Sequence, residues 1–158
     1  MNLQHTPSEI IRQLLVNQSL GTSAVVPSSD NTSWPVYATN EPDVPDNVIT
    51  IYDTQGRISG RSGVDGERDE HYGIQVRVRS LSHTTGYQKI RAIAQQMDGV
   101  IYHNVVRLSS IDYIVHCITR VGDILPLGQM DKVYRTQDTA SKRLLFVFNA
   151  LVAISRRT

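Results

Sequence analysis

The chain reads as an α+β domain: a mostly antiparallel β-sheet flanked by two α-helices, with long β-hairpin or loop arms. Three observations predict it. Two segments carry apolar residues at helical spacing, and several others show the alternation or the two-faced apolar runs of strands. The strand segments mostly follow one another through loops rather than helices. That order suits an antiparallel sheet with both helices on one face. The 158 residues fit one domain, 1–158, with arms at about 19–34, 55–70 and 122–140.

The first helix is signalled by Thr6-Pro7-Ser8-Glu9: a capping Thr, Pro at the first helical position, and Glu three residues after the cap. Ile10, Ile11, Leu14 and Leu15 then share a face, which predicts a helix over about 7–18. Residues 19–34, rich in Ser, Thr, Asn and Gly, read as a loop. Val36 to Thr39 forms a short strand, and Glu41 to Asp46, with two prolines, a turn-rich stretch.

Val48 to Thr54 reads as a strand. Gly56, Gly60, Gly63 and Gly66 then punctuate a charged stretch that reads as a flexible arm or an extended hairpin. From His71 to Leu81, Ile74, Val76 and Val78 alternate with Gln75, Arg77 and Arg79, so one face is buried and the other polar. Tyr87, Ile90, Ile93, Ala94 and Met97 predict a second helix over about 85–98, with Gly99 at its end. Val100 to Leu108 is a short, broken apolar segment. Ile111 to Val121 is a strand, 122–139 a second long connection holding Pro126 and Gly128, and Arg143 to Ser155 a strand apolar on both faces. A strand of the last kind lies centrally in its sheet or under a partner subunit.

Composition narrows the function. Sixteen basic residues stand against 15 acidic ones, a net charge of +1. A dedicated nucleic-acid binder carries a basic excess, because its affinity comes from neutralised phosphates. The single cysteine, Cys117, excludes an intrachain disulfide and suits a reducing cytoplasm. Met1 to Glu9 lacks the basic and apolar regions of a signal peptide, and Leu144 to Ile154 is too short to span a bilayer as a helix.

No catalytic or metal-ligating set is expected. His5, His71, His83, His103 and His116 are not paired with one another or with Cys117 at ligand spacing. Asp65, Glu67, Asp69 and Glu70 sit in a Gly-rich stretch among arginines, without the fixed geometry that a carboxylate pair needs. The glycines spell no phosphate loop. Arg57, Arg61, Arg68, Arg77 and Arg79 are the candidate functional residues. They read either as an ordinary solvated face or as a polar surface turned to a neighbouring subunit or a lumen.

The segment Ile49-Thr50-Ile51-Tyr52-Asp53-Thr54-Gln55-Gly56, a variable linker, Gly73 to Arg79, and the helix from Gly86-Tyr87-Gln88-Lys89 to Asp98-Gly99 resemble the tail terminator, or minor capsid, proteins of long-tailed bacteriophages. The first helix and Asn149 in the last strand fit the same pattern. The resemblance implies a virion structural protein of the tail and neck, without enzymatic activity or cofactor and assembled in the host cytoplasm. It implies a homo-oligomer, a hexameric ring that caps the tail tube, stops its polymerisation and joins it to the head connector. The implied partners are tail tube protein and the neck proteins. Genome DNA passes through the lumen, and no membrane is involved. A head-closure or other neck adaptor, and more distantly a nucleic-acid-binding module using the arginines, are the competing expectations.

Overall fold

The computed structural model describes residues 3–23, 33–62, 67–100, 104–130 and 143–157, with the side chains of 59–62, 67–69 and 129–130 outside that description. Its elements are α1 (Pro7–Asn17), β1 (Thr22–Ser23), β2 (Pro35–Ala38), β3 (Val48–Ser62), β4 (Glu67–Ser80), α2 (His83–Asp98), β5 (Asn104–Leu108), β6 (Ile111–Met130) and β7 (Arg143–Arg156).

The seven strands form one sheet in the order β1-β2-β3-β4-β7-β6-β5. The expectation of an α+β domain with a mostly antiparallel sheet is corrected here: strands dominate, and they form a single curled mixed sheet in which β1·β2 and β2·β3 are parallel. The physical reason is the path between β2 and β3. Residues 39–47 do not form a tight hairpin. They cross the polar face of the sheet and return β3 to the end where β2 began, and two arginines described below pin them there.

Both helices start where their caps predict. Thr6 caps α1: its Oγ1 accepts from the Glu9 amide at 3.3 Å, while the Glu9 carboxylate accepts from the Thr6 amide at 2.9 Å. Asp53 of β3 adds a cap from outside the helix, accepting from the Ser8 amide at 2.9 Å and the Ser8 hydroxyl at 2.6 Å. Ser82 caps α2, which therefore begins at His83, slightly before the expected start.

The core lies between the helices and one sheet face. Ile10, Ile11, Leu14 and Leu15 of α1 and Ile90, Ile93, Ala94 and Met97 of α2 are buried with Ile49, Ile51, Ile74, Val76, Val78, Phe146 and Phe148. Each large side chain so buried contributes about 1.5–3 kcal/mol relative to exposure. The register explains the shared face: Val36, Ile49, Val78 and Phe146 lie side by side across four strands, and Ile51, Val76 and Phe148 across three. β7, apolar on both faces, lies between β4 and β6.

One strand outruns expectation, and the 55–70 arm takes the form of an extended hairpin. β6 continues past Val121 to Met130, through the stretch read as a connection. Gly122 and Gly128 take positive φ at register shifts, and Pro126 is tolerated where, among the described residues, this half of β6 pairs on one side only. β3 and β4 continue as an extended hairpin to Ser62 and Glu67. A bulge between Thr54 and Arg57 makes Gly56 necessary, since a Cβ there would strike the His71 carbonyl. Part of the stretch read as a 19–34 loop forms β1. Residues 24–32, 63–66 and 131–142, and His103, lie outside the described residues.

Candidate assembly surface

The polar face of the sheet carries Thr50, Tyr52, Gln75, Arg77, Arg79 and Asn149, because β3, β4 and β7 alternate in register. The segment 41–46 lies over part of it. Arg79, only 6% exposed, reaches into that segment. Its guanidinium donates to the carbonyls of Pro42 (2.7 Å), Asp43 (3.2 Å), Pro45 (2.7 Å) and Asp46 (3.3 Å), and pairs with Glu41 at 3.1 Å. Burial lowers its pKa, and Glu41 opposes the shift. Arg143 completes the lock, pairing with Asp43 at 2.9 Å and Asp46 at 2.8 Å.

The arginines expected to act together are thus divided by the fold. Arg79 is held within its own chain. Arg77 is partly open: it pairs with Glu41 at 3.2 Å and lies 4.9 Å from the centre of the Tyr52 ring. Arg57 is exposed on the β3–β4 arm. Arg61 and Arg68 face each other in backbone register on the same arm, and their side chains lie outside the described residues. Sequence reasoning missed Arg143, Glu41 and Asp46. The alternation at β4 announces a polar face but not the loop that covers it.

Tyr52 donates to Glu41 at 3.2 Å, and its phenol pKa is raised, first by burial and then by that carboxylate. Tyr37 and Tyr72 are also raised, mainly by burial. Cys117 is half-buried. His116 of β6 and Ser155 of β7 share a 2.7 Å hydrogen bond that ties neighbouring strands. Among the described residues no group of three or more His, Cys, Asp or Glu side chains could hold a metal ion, and no helix is long and apolar enough to cross a membrane.

The family model for bacteriophage tail terminator proteins matches residues 14–127, most of the chain. The chain belongs to the bacteriophage tail terminator family. No curated protein matches the sequence. One solved structure aligns over 98% of this chain and 99% of its own at 13% identity and a TM-score of 0.44, too distant a likeness to carry an argument.

For a tail terminator the role is structural, and its place is the virion tail. The matched span runs from the last turn of α1 into the outer half of β6, so it takes in the β3–β4 arm with Arg77 and Arg79, while Arg143 and Asn149 of β7 lie beyond it. The lock between 41–46 and the two buried arginines fixes a loop across the sheet.

Proposed function

We propose that this tail terminator assembles into a hexameric ring that caps the finished tail tube, stops its polymerisation and joins it to the head connector. Family membership supports the tail assignment. The observation that carries the ring is the pair of unpaired strand edges at opposite margins of the sheet. Pairing by β2 ends at Ile51 of β3, and pairing by β5 ends at Val115 of β6, so among the described residues the outer parts of both strands have a hydrogen-bonded neighbour on one side only. A monomer leaves such edges open to association. Two different edges on one chain favour head-to-tail contacts, which close into a ring when the rotation per subunit divides a full turn.

A near-neutral chain, net charge +1, suits a conduit that must let DNA pass without gripping it. Arg57, Arg61 and Arg68 on the β3–β4 arm, with Arg77 at its base, then face neighbouring subunits or the tube rather than a nucleic-acid groove. The test is light scattering on the purified protein, alone and with preformed tail tubes, followed by negative-stain imaging. A ring mass and density at one end of each tube are expected. Binding to filled heads but not to tubes would move the protein to the head side of the neck.

A further inference from the structure

The two free edges differ in shape. Beside the β3 edge, between the N-terminus of α1 and the base of the β3–β4 arm, lies an open cavity of about 480 Å³, lined among others by Pro7, Asp53, Gly56, Ile58 and Tyr72. Ile58 on its rim is 68% exposed. The β6 edge carries exposed apolar side chains instead: Val121, Leu125 and Leu127 are 51%, 54% and 54% exposed. Large apolar side chains this open, on a strand edge unpaired among the described residues, mark a contact surface.

The two margins also carry opposite charges. Arg57, next to Ile58, is exposed and makes no ion pair among the described residues. Asp123, close to Leu125, has a 91% exposed side chain and a loose 3.7 Å contact with Arg120. The arms also point in opposite directions. β3 rises toward the Ser62–Glu67 end of its hairpin, while β6 descends to Met130 beside Arg143, at the other end of β4 and β7. One chain therefore offers a socket at one margin and a plug at the other, the condition for a heterologous contact between copies.

We propose that Leu125 and Leu127 of one copy fill the cavity beside Ile58 of the next, with Asp123 of the first copy meeting Arg57 of the second. The proposal rests on the ring reading and names the surfaces that meet. All four side chains are exposed in the monomer, so their variants fold. Circular dichroism and melting curves check this.

Sedimentation of wild type, of Leu125→Asp/Leu127→Asp, of Arg57→Asp, of Asp123→Arg and of the double variant Arg57→Asp/Asp123→Arg decides it. The expected result is a ring in wild type and none in Leu125→Asp/Leu127→Asp. In each charge reversal, half-assembly needs about tenfold more protein, and the double variant returns toward wild type. Rings in every variant overturn this docking and leave the ring reading standing. Single reversals that weaken assembly without recovery in the double variant also overturn it. A wild type that stays monomeric, alone and with tail tubes, overturns the ring reading and this docking together.

Discussion

Arg79 and Arg143 donate to the same carbonyl oxygen, that of Asp43, at 3.2 and 2.7 Å. Two guanidinium groups converge on one peptide oxygen because Glu41, Asp43 and Asp46 supply three carboxylates around them. The lock fixes 39–47 across the sheet, and that path is what makes β2 and β3 parallel.

Arg79→Met is expected to destabilise the fold by about 3 kcal/mol, because Glu41 Oε1 and the carbonyls of Pro42 and Pro45 would lose the donor that Arg79 supplies. Urea denaturation should show a lower midpoint at unchanged slope. Arg79→Lys should recover only part, since an ammonium cannot reproduce the planar fork that reaches four carbonyls at once.

Alkaline pH should weaken the fold above about pH 10, the ordinary phenol value. Tyr37, Tyr52 and Tyr72 all have folded-state pKa values raised above 10.0, so the neutral phenol is favoured in the folded chain. Their contribution is present in full below 10 and is lost as pH climbs from there through the raised values. Lys89 works the other way: burial lowers its pKa from 10.5, so its contribution improves as it deprotonates. Arg79, also lowered by burial, starts from a guanidinium value above this range, so the three phenols stand against Lys89, and a net loss is expected in denaturation curves taken between pH 9 and 11.5. Tyr52→Phe should make that loss shallower while costing about 1 kcal/mol at neutral pH for the missing bond to Glu41.

How much of this was legible follows from the range of the interactions. The helices are written locally: Thr6 with Glu9, and Ser82 before a periodic apolar run, fix their starts within a few residues. The alternation from Ile74 to Arg79 likewise gives the two faces of β4. The parallel pairs were not legible, because they depend on contacts such as Arg143 to Asp43, between residues far apart in the chain. Nor was the outer half of β6, where Gly122, Pro126 and Gly128 look like turn residues and are instead absorbed as bulges on a free edge. Among the candidate arginines, shared alternation places Arg77 and Arg79 on one face. Only the crossing loop decides that Arg79 is buried while Arg77 stays half-open.

Asp53 links that hidden architecture to α1. Asp53→Ala removes both acceptors of the Ser8 hydrogen bonds at the positive end of the helix and should cost about 1–2 kcal/mol. Amide exchange should rise first in the opening turn of α1, while α2 keeps its protection.

Gly73 is a steric test of the bulge. A Cβ there would strike the carbonyl of Gln55 and the Thr54 side chain, both across the ladder on β3. Gly73→Ala should lower stability by about 1–3 kcal/mol, read from thermal melting. Gly99→Ala, at a position with no tight contact, should change it little.

The central claim is that the protein stops tail tube growth, and the direct measurement is tube length. Purified protein is added to polymerising tail tube protein at successive times, and lengths are read from negative-stain images. Lengths frozen at the time of addition, with density at one end, are the predicted result. Tubes that continue to grow to the same length with and without a saturating amount of the protein would contradict it.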